Sequence, residues 1–250
     1  MGVPVFIYGP ARSGTTLLRV LLGGHAHIAG LDELNYSMFL PMAFEKAVAD
    51  APALSPVDGF SLEHIRRALQ TAHRAPRDAI AAAAGKTRWV DSTHSANDRY
   101  IATIDELYDG QCRYLLTRRH PGDVLASAFE RWPGYDVLGA VTRLAAFAAA
   151  QQQIEAQLPD RAHRIAYEDL VQDPDRVIRE ALRFLGETAD GYSAAEAMRA
   201  GGKAVAVGDN KIRNRPRVDT TSIGRWRSRL PSSVVRRIVG HPDFTTCLET

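Results

Sequence analysis

The feature that most constrains the fold is a glycine-bounded loop between a strand pattern and a helix pattern near the start of the chain. Residues 3–9, VPVFIYG, are short, β-branched and aromatic, which indicates a buried strand. The sequence TTLLRVLLGGH after the loop indicates a helix. Gly9 and Gly14 have the spacing of a Walker A loop and Thr16 fills its last position, but Thr15 replaces the lysine. Loop amides and a helix N-terminus still favour phosphate binding, whereas nucleoside triphosphate hydrolysis loses its usual cation.

Strand and helix patterns alternate along the rest of the chain. Further strands are predicted at HIAGL, TRWVDS, CRYLLTR and HRIAYEDL, and helices at NDRYIATIDELYDG (from an Asn cap), PGDVLASAFERW, residues 138–158 and DPDRVIREALRFLG. Residues 37–85 read as a variable helical region broken by prolines at 41, 52, 56 and 76. We therefore predict one α/β domain over residues 1–250, a three-layer sandwich with a mostly parallel central sheet and a P-loop-like phosphate-binding loop. Ligands of such sheets bind beyond the carboxyl ends of the strands.

Composition excludes several classes of protein. Charged residues make up 24% and the formal net charge is +2, so neither a nucleic-acid nor a membrane-surface partner is expected. Two cysteines give no disulfide scaffold, and no segment has the pattern of a signal peptide or a membrane span, so we expect the cytoplasm. Four basic residues are lysine and 27 are arginine, which favours anion binding through planar guanidinium groups. His25 and His27 would point to opposite sides of an extended chain and suggest no metal site.

A second anion-binding pattern lies in RHPGDVLAS. Arg119 ends a predicted strand and Ser127 lies in the helix that follows. Arg131 is four residues beyond Ser127 and so shares its helix face. A phosphate near this helix would meet two guanidinium groups and a hydroxyl. The chain thus has two predicted phosphate sites.

These segments resemble those of sulfotransferases that use 3′-phosphoadenosine-5′-phosphosulfate (PAPS). GPARSGTTLLRVLL is similar to the family's 5′-phosphosulfate loop, in which Lys or Arg precedes SGTT. Arg119, Pro121 and Ser127 match the second family signature. YEDLVQDP and SIGRWRSRL extend the resemblance over about residues 3 to 230, with 37–85 outside it and expected to serve the acceptor.

The resemblance implies PAPS as donor, 3′,5′-adenosine bisphosphate as product, and binding residues for each part of the donor. Residues 203–229, which hold eight lysines and arginines, resemble the family's cofactor-covering loop. A transferring sulfuryl group carries less negative charge than a phosphoryl group, so no metal is expected. The implied donor-binding residues are Arg12, Ser13, Gly14, Thr15 and Thr16 at the 5′ end, Arg119, Ser127 and Arg131 at the 3′-phosphate, and Tyr167, Ser222 and Gly224 near the adenosine. Arg12 would also contact the leaving phosphate during in-line transfer.

Two residues compete for the role of general base. Glu33 in GLDE resembles the acidic segment of tyrosylprotein sulfotransferases, and His94 in DSTHS resembles the K-T-H segment of cytosolic sulfotransferases. Imidazole has the better ordinary pKa for work near neutrality, while a glutamate needs its pKa raised by burial. We favour Glu33 slightly. Ser92 stands where the family usually has a lysine that touches the donor's bridging oxygen.

Two other functions stay open at this point. A divergent P-loop kinase or NTPase is disfavoured by Thr15 and by the weakness of Asp91 as a metal ligand. A non-catalytic adenine-nucleotide-binding module would keep Arg12 and Arg119 but would need no base. The acceptor, a hydroxyl or less favourably an amine on a small molecule, carbohydrate or peptide, is not readable from the sequence.

Overall fold

The computed structural model describes residues 1–31, 39–93, 99–201 and 217–249. Five strands form one sheet in the order β2-β3-β1-β4-β5, and every pairing is parallel. Their bounds are β1 Val5–Tyr8, β2 Ile28–Gly30, β3 Arg88–Thr93, β4 Arg113–Arg118 and β5 Ala162–Ala166. The predicted α/β fold with a parallel central sheet is confirmed.

Helices follow the strands and continue beyond β5 to the end of the described chain. Their bounds are α1 Thr15–Gly23, α2 Phe39–Leu54, α3 Leu62–Ala83, α4 Tyr100–Leu107, α5 Pro121–Arg131, α6 Val137–Gln157, α7 Tyr167–Gln172, α8 Pro174–Phe184, α9 Ala194–Gly201, α10 Trp226–Arg229, α11 Ser232–Val239 and α12 Pro242–Glu249. The helices α1 to α6 lie between β1 and β5, the range in which strands and helices follow one another along the chain. Among the described residues, no helix combines the length and the hydrophobicity that crossing a bilayer would require.

The core has a cluster on each face of the sheet. Val5 and Ile7 of β1 pack with α1, α7, α8 and α9, while Phe6 and Tyr8 pack with α3, α4 and α6. Because both faces are covered, the central strands read as continuous apolar runs rather than alternating ones. Leu21 of α1 is fully buried, so Leu21→Ala would cost about 2–5 kcal/mol of stability. A third cluster joins α5 and α6 to α10, α11 and α12.

The sequence led us to expect that the prolines of region 37–85 break its helices, but two of these prolines lie inside helices. Pro52 lies inside α2 and Pro76 inside α3. A proline removes one helical hydrogen bond, but the rest of the 22-residue α3 is intact, and His73, Arg77 and Ala81 bury one side of it.

Two predicted element boundaries differ from the structure. YEDL belongs to a helix, because β5 ends at Ala166 and Tyr167 begins α7, whose first turn places Glu168 and Asp169 at the favourable positive end of the helix dipole. The helix α4 begins at Tyr100 after Arg99, which gives no side-chain cap. The predicted Asn cap, Asn97, lies outside the described residues.

Candidate functional site

The loop between β1 and α1 has the backbone shape of an anion cradle. Arg12 has a φ of 74° and Gly14 a φ of 98°, both in the left-handed region. A left-handed arginine is uncommon, and such conformations gather at functional loops where the surrounding structure enforces them. A Cβ on Gly14 would lie 2.4 Å from the ring of Tyr167. Glycine is therefore required at position 14 both by φ and by the aromatic ring that covers it.

Ser13 and Gly9 fix this loop against β4. The Ser13 hydroxyl lies 2.7 Å from the carbonyl oxygen of Pro10, to which it donates, and 2.7 Å from the Thr117 hydroxyl. A Cβ on Gly9 would lie 2.1 Å from the same Thr117 oxygen. Ser13 is 1% exposed, so its side chain lies between the loop and β4 and stabilises the loop there.

The two arginines singled out by the sequence meet at this loop. The guanidinium of Arg119 donates from Nη1 to the carbonyl oxygen of Arg12 at 2.8 Å, and Arg12 Nε donates to Ser127 Oγ at 3.1 Å. The Arg119 guanidinium also lies over the Tyr167 ring, 4.2 Å from its centroid. Burial lowers the pKa of Arg119, and Tyr167, Asp123 and Glu168 act in the opposite direction. Arginine is effectively always protonated in proteins, so the group remains a cation at neutral pH.

Both arginines line one cavity at the carboxyl ends of β1, β4 and β5. Its empty volume is about 740 Å³, a figure that includes space open to solvent. Eight of the predicted donor-binding residues line it: Arg12, Gly14, Thr15, Thr16, Arg119, Ser127, Tyr167 and Ser222.

The remaining predicted site residues are placed differently or are not described. Ser13 faces inward, Gly224 is exposed beside the cavity, and Arg131 is exposed at the end of α5 without lining the cavity. Glu33 and His94 lie in segments 32–38 and 94–98, outside the described residues. The roles of these five residues, like those of the eight that line the cavity, stay predictions.

Seven residues of the cavity wall were missed by sequence reasoning: the apolar Leu17, Val171, Met198 and Val218 and the charged Arg217, Asp219 and Arg225. Three of them had a local signal. Leu17 directly follows Thr16, Val171 is four residues beyond Tyr167 on the same helix face, and Arg225 directly follows Gly224. Met198 comes from α9, which no motif connects to the loop.

Residues 217–226 form one wall of the cavity, and Asp123 of α5 anchors them. Asp123 is 1% exposed, and its two carboxylate oxygens accept the backbone N–H groups of Gly224 at 2.7 Å and Trp226 at 3.0 Å. The Trp226 ring packs on Gly122, where a Cβ would lie 2.4 Å from it. The start of α5 is thus shaped to receive this segment.

The same segment is joined to the arginine cluster. Arg119 Nη2 donates to the carbonyl oxygen of Ser222 at 2.9 Å, and the Tyr167 hydroxyl lies 2.7 Å from Ser222 Oγ. Arg225 donates to Glu130 of α5 at 3.1 Å. Arg119 therefore connects the phosphate loop to the C-terminal segment. These two segments line the cavity on either side of Arg119.

The end of β3 lies next to the loop through its pairing with β1. Ser92 is in register with Ile7, and its hydroxyl has no hydrogen-bond partner in the described part of the chain. The preceding Asp91 is almost fully buried and forms an ion pair of 2.7 Å with Arg77 of α3. Burial raises the pKa of Asp91, while Arg77 opposes that shift. Because this carboxylate is committed to Arg77, it is poorly placed to hold a magnesium ion.

Comparison with known proteins agrees with this geometry. The profile of the Sulfotransferase family matches residues 4–191. Nodulation protein NoeE of Sinorhizobium fredii (strain NBRC 101917 / NGR234) is 29% identical over 261 residues, which cover 90% of this chain and 60% of that protein. The chain thus spans about 60% of the length of this curated relative.

Two solved structures share the fold at low sequence identity. The sulfotransferase domain from the Synechococcus PCC 7002 olefin synthase superposes with a TM-score of 0.68 at 21% identity, covering 100% of this chain and 95% of that one. The sulfotransferase domain from the curacin biosynthetic pathway gives a TM-score of 0.65 at 19% identity, covering 92% of both chains. With three quarters of its length matched by the family profile, the chain belongs to the sulfotransferase family.

Proposed function

We propose that this protein transfers the sulfuryl group of PAPS to a hydroxyl, less favourably an amine, of an acceptor molecule and releases 3′,5′-adenosine bisphosphate. The observation that carries the proposal is that Arg12 and Arg119 line one cavity rather than two. The same cavity is lined by an aromatic ring, Tyr167, and by apolar side chains that include Leu17 and Val171. A cavity that combines two cations with an aromatic and apolar surface fits an adenosine that carries phosphates at both ends.

One arginine of the cavity wall has a hydrogen-bond donor that no described residue satisfies. Arg119 Nε is buried and has no hydrogen-bond partner among the described residues. A buried donor of this kind is costly unless a ligand or water satisfies it. Arg119 and Ser127 would hold the 3′-phosphate, and the loop amides with Arg12, Thr15 and Thr16 would hold the 5′ end. Arg217 and Arg225, which also line the cavity, add positive charge.

The chemistry asks for charge stabilisation and a proton acceptor. The acceptor oxygen forms a bond to sulfur as the bond between sulfur and the 5′-phosphate oxygen breaks, and negative charge grows on the departing phosphate. The loop amides and Arg12 stabilise that charge without a metal. The acceptor proton passes to Glu33 or His94, which follow β2 and β3, while Ser92 offers a hydroxyl that has no partner among the described residues in place of the family lysine.

Region 37–85 is proposed to serve the acceptor. It forms α2 and α3, and α3 packs on the face of the sheet to which Phe6 and Tyr8 of β1 also contribute. Arg77 connects α3 directly to Asp91, the residue before Ser92. The acceptor class remains a small molecule, a carbohydrate or a peptide, and a single domain in the cytoplasm stays a prediction.

Two measurements test the proposal in sequence. Thermal unfolding is followed with 3′,5′-adenosine bisphosphate in the absence of Mg²⁺ and, separately, with Mg-ATP. Candidate acceptors are then incubated with PAPS and screened by mass spectrometry for the gain of one sulfonate. Arg12→Ala should lose both responses, whereas Arg236→Ala, at an exposed arginine of α11 that does not line the cavity, serves as the matched control. Preference for Mg-ATP would favour a kinase, and bisphosphate binding without any transfer would favour a binding module.

A further inference from the structure

Three side chains of metal-ligating type meet at the opposite edge of the sheet from the donor cavity. Ligand atoms of His25, His27 and Glu187 all lie within 4.8 Å of one another. The histidines occupy the turn between α1 and the amino end of β2, and Glu187 follows α8. None of the three lines the donor cavity. This cluster is therefore separate from the proposed transfer reaction.

The sequence-based expectation for this histidine pair is wrong about where the rings point. That expectation assumed an extended chain, but the backbone turns here, with the His25 N–H donating to the Leu22 carbonyl oxygen at 3.0 Å. The two imidazole rings lie edge to face with centroids 5.2 Å apart. The turn thus brings together two rings that a strand would have separated.

His25 is held in one tautomer, in which the Nδ1 lone pair accepts the His27 backbone N–H, and a bound metal would replace that hydrogen bond. The Nε2 atom of His25 lies 3.0 Å from the carbonyl oxygen of Thr188. A carbonyl can only accept, so Nε2 carries the hydrogen and Nδ1 keeps its lone pair. Nδ1 accepts only a long bond of 3.2 Å from the His27 backbone N–H. A ring nitrogen that donates to a backbone carbonyl while the other faces the ligand site is the usual arrangement of metal-binding histidines.

Glu187 is also oriented by a second partner. One carboxylate oxygen forms an ion pair with Arg88 at 2.9 Å, and the other lies 2.9 Å from His27 Nδ1. That carboxylate is 12% exposed, whereas the His27 side chain is 51% exposed. Because the His27 side chain is exposed, its proton can move to Nε2, and a metal at Nδ1 and the Glu187 oxygen would then replace the hydrogen bond between them.

We infer that His25 Nδ1, His27 Nδ1 and a Glu187 oxygen form a binding site for a divalent transition metal of the Zn²⁺ class, with water completing the coordination. Two imidazoles and one carboxylate are a donor set that suits Zn²⁺, and the order of affinity across the first-row metals places Cu²⁺ above it.

Charge near the cluster sets the expected strength of binding. The Lys86 ammonium donates to the carbonyl oxygens of Gly23 and His25, and Arg88 is already paired with Glu187. These two cations oppose a third positive charge, so we expect micromolar rather than nanomolar affinity. A bound ion would link the turn before β2 to the segment after α8. The strand β2 has only three residues and lies at the edge of the sheet.

The experiment titrates the full chain with ZnCl2 in a calorimeter at neutral pH in a buffer that does not chelate metals. His27→Gln is the main variant, because its side chain is exposed and the chain should fold. His64→Gln, at an exposed histidine of α3, is the matched control. We expect one Zn²⁺ per chain in the wild type and in His64→Gln, and at least about tenfold weaker binding in His27→Gln.

Thermal unfolding supplies a second readout. Zn²⁺ should raise the midpoint of the wild type and of His64→Gln by several degrees and that of His27→Gln by much less, since an ion that binds only the folded chain stabilises it. The inference is overturned if the wild type takes up no Zn²⁺ at about one hundred micromolar. It is equally overturned if His27→Gln binds as tightly as the wild type, because the ion would then sit elsewhere.

Discussion

The sheet has two halves that differ in what the sequence and the structure reveal about them. In the half that we propose to bind the donor, called the donor half, the segments after β1, β4 and β5 bring Arg12, Arg119 and Tyr167 into one cavity. In the half that we propose to serve the acceptor, called the acceptor half, β2 and β3 lead into segments 32–38 and 94–98, which hold Glu33 and His94 and lie outside the described residues. Both halves meet at β1, which pairs with β3 on one side and β4 on the other.

This difference separates binding from chemistry. Recognition of a doubly charged donor needs cations and amides at fixed positions, and the donor half supplies them. Proton removal needs one base near the acceptor, and both candidates follow the strands of the other half. Substitutions in the two halves should therefore change different kinetic quantities: donor affinity in one, and the rate of transfer in the other.

The largest effect is expected in the acceptor half. Replacing whichever of Glu33 or His94 is the base, by Glu33→Gln or His94→Ala, should lower kcat about 10²–10⁴-fold, because the acceptor proton then has no positioned acceptor. Binding of 3′,5′-adenosine bisphosphate, measured by calorimetry, should be unchanged. Full transfer activity in both variants would contradict our account of the base. Weakened bisphosphate binding in both variants would contradict the claim that donor affinity depends on the donor half alone.

Arg119→Ala tests the donor half at its centre. Loss of the charge-assisted hydrogen bonds of this guanidinium should weaken bisphosphate binding about 100-fold, as measured by calorimetry. Arg119 also bridges the Arg12 and Ser222 carbonyls, so the unfolding midpoint is measured beside it and Arg119→Lys is included, which keeps the charge but loses the fork. Arg131→Ala is measured as well, because the sequence predicts Arg131 at the 3′-phosphate whereas its side chain does not line the cavity. Equal losses in Arg131→Ala and Arg119→Ala would place the 3′-phosphate elsewhere on α5.

Asp123→Asn tests whether the C-terminal segment belongs to the donor half. Asparagine keeps the shape of the side chain but presents one acceptor oxygen, so either the Gly224 or the Trp226 N–H loses its partner. We expect about tenfold weaker donor binding and a raised KM, with kcat little changed, because Asp123 acts only through the position of residues 217–226. Asp136→Asn, at the exposed cap of α6, is the control. A fall in kcat with unchanged KM would mean that this segment contributes to the transfer step itself.

The smallest predicted effect concerns acid stability on the acceptor side, where buried His73 of α3 hydrogen-bonds to Tyr108. Burial lowers the pKa of His73 to about 3, and the neighbouring Arg77 contributes to the shift. Below pH 6.5 the unfolded chain binds a proton at His73 that the folded chain does not bind until about pH 3. The free energy of unfolding should therefore fall as the pH decreases from 6.5, by about 1 kcal/mol over the first unit.

Urea denaturation at pH 7.5 and pH 5.5 checks this prediction. His73→Gln removes the proton-binding group and should flatten the pH dependence, while His64→Gln, on an exposed position of the same helix, should not. Identical pH dependence in the wild type and His73→Gln would show that His73 does not set the acid stability of this side.

The sequence predicted most of the fold because its signals are local. The apolar run of β4, the amphipathic α8 and the proline at the start of α5 each specify an element from neighbouring residues. The errors occur where packing overrides a local preference. Pro76 remains inside α3, and Tyr167 begins a helix instead of extending a strand.

The candidate site shows the same division. Eight predicted residues line the cavity, because anion-binding loops constrain backbone and side chains over a few consecutive positions. Met198 and Arg217 also line it, but their positions depend on how α9 and the C-terminal segment pack, and no short pattern encodes that.

By itself the sequence determined the order of strands and helices, the phosphate loop and the two arginine motifs, since these depend on residues near one another in the chain. Only the tertiary structure decided that Arg12 and Arg119 share a cavity, that Asp123 holds the segment beyond it, and that His25 faces Glu187. The partners in these contacts lie about 100 residues or more apart in the chain. The packing of helices on the two faces and at the edges of a parallel sheet brings them together.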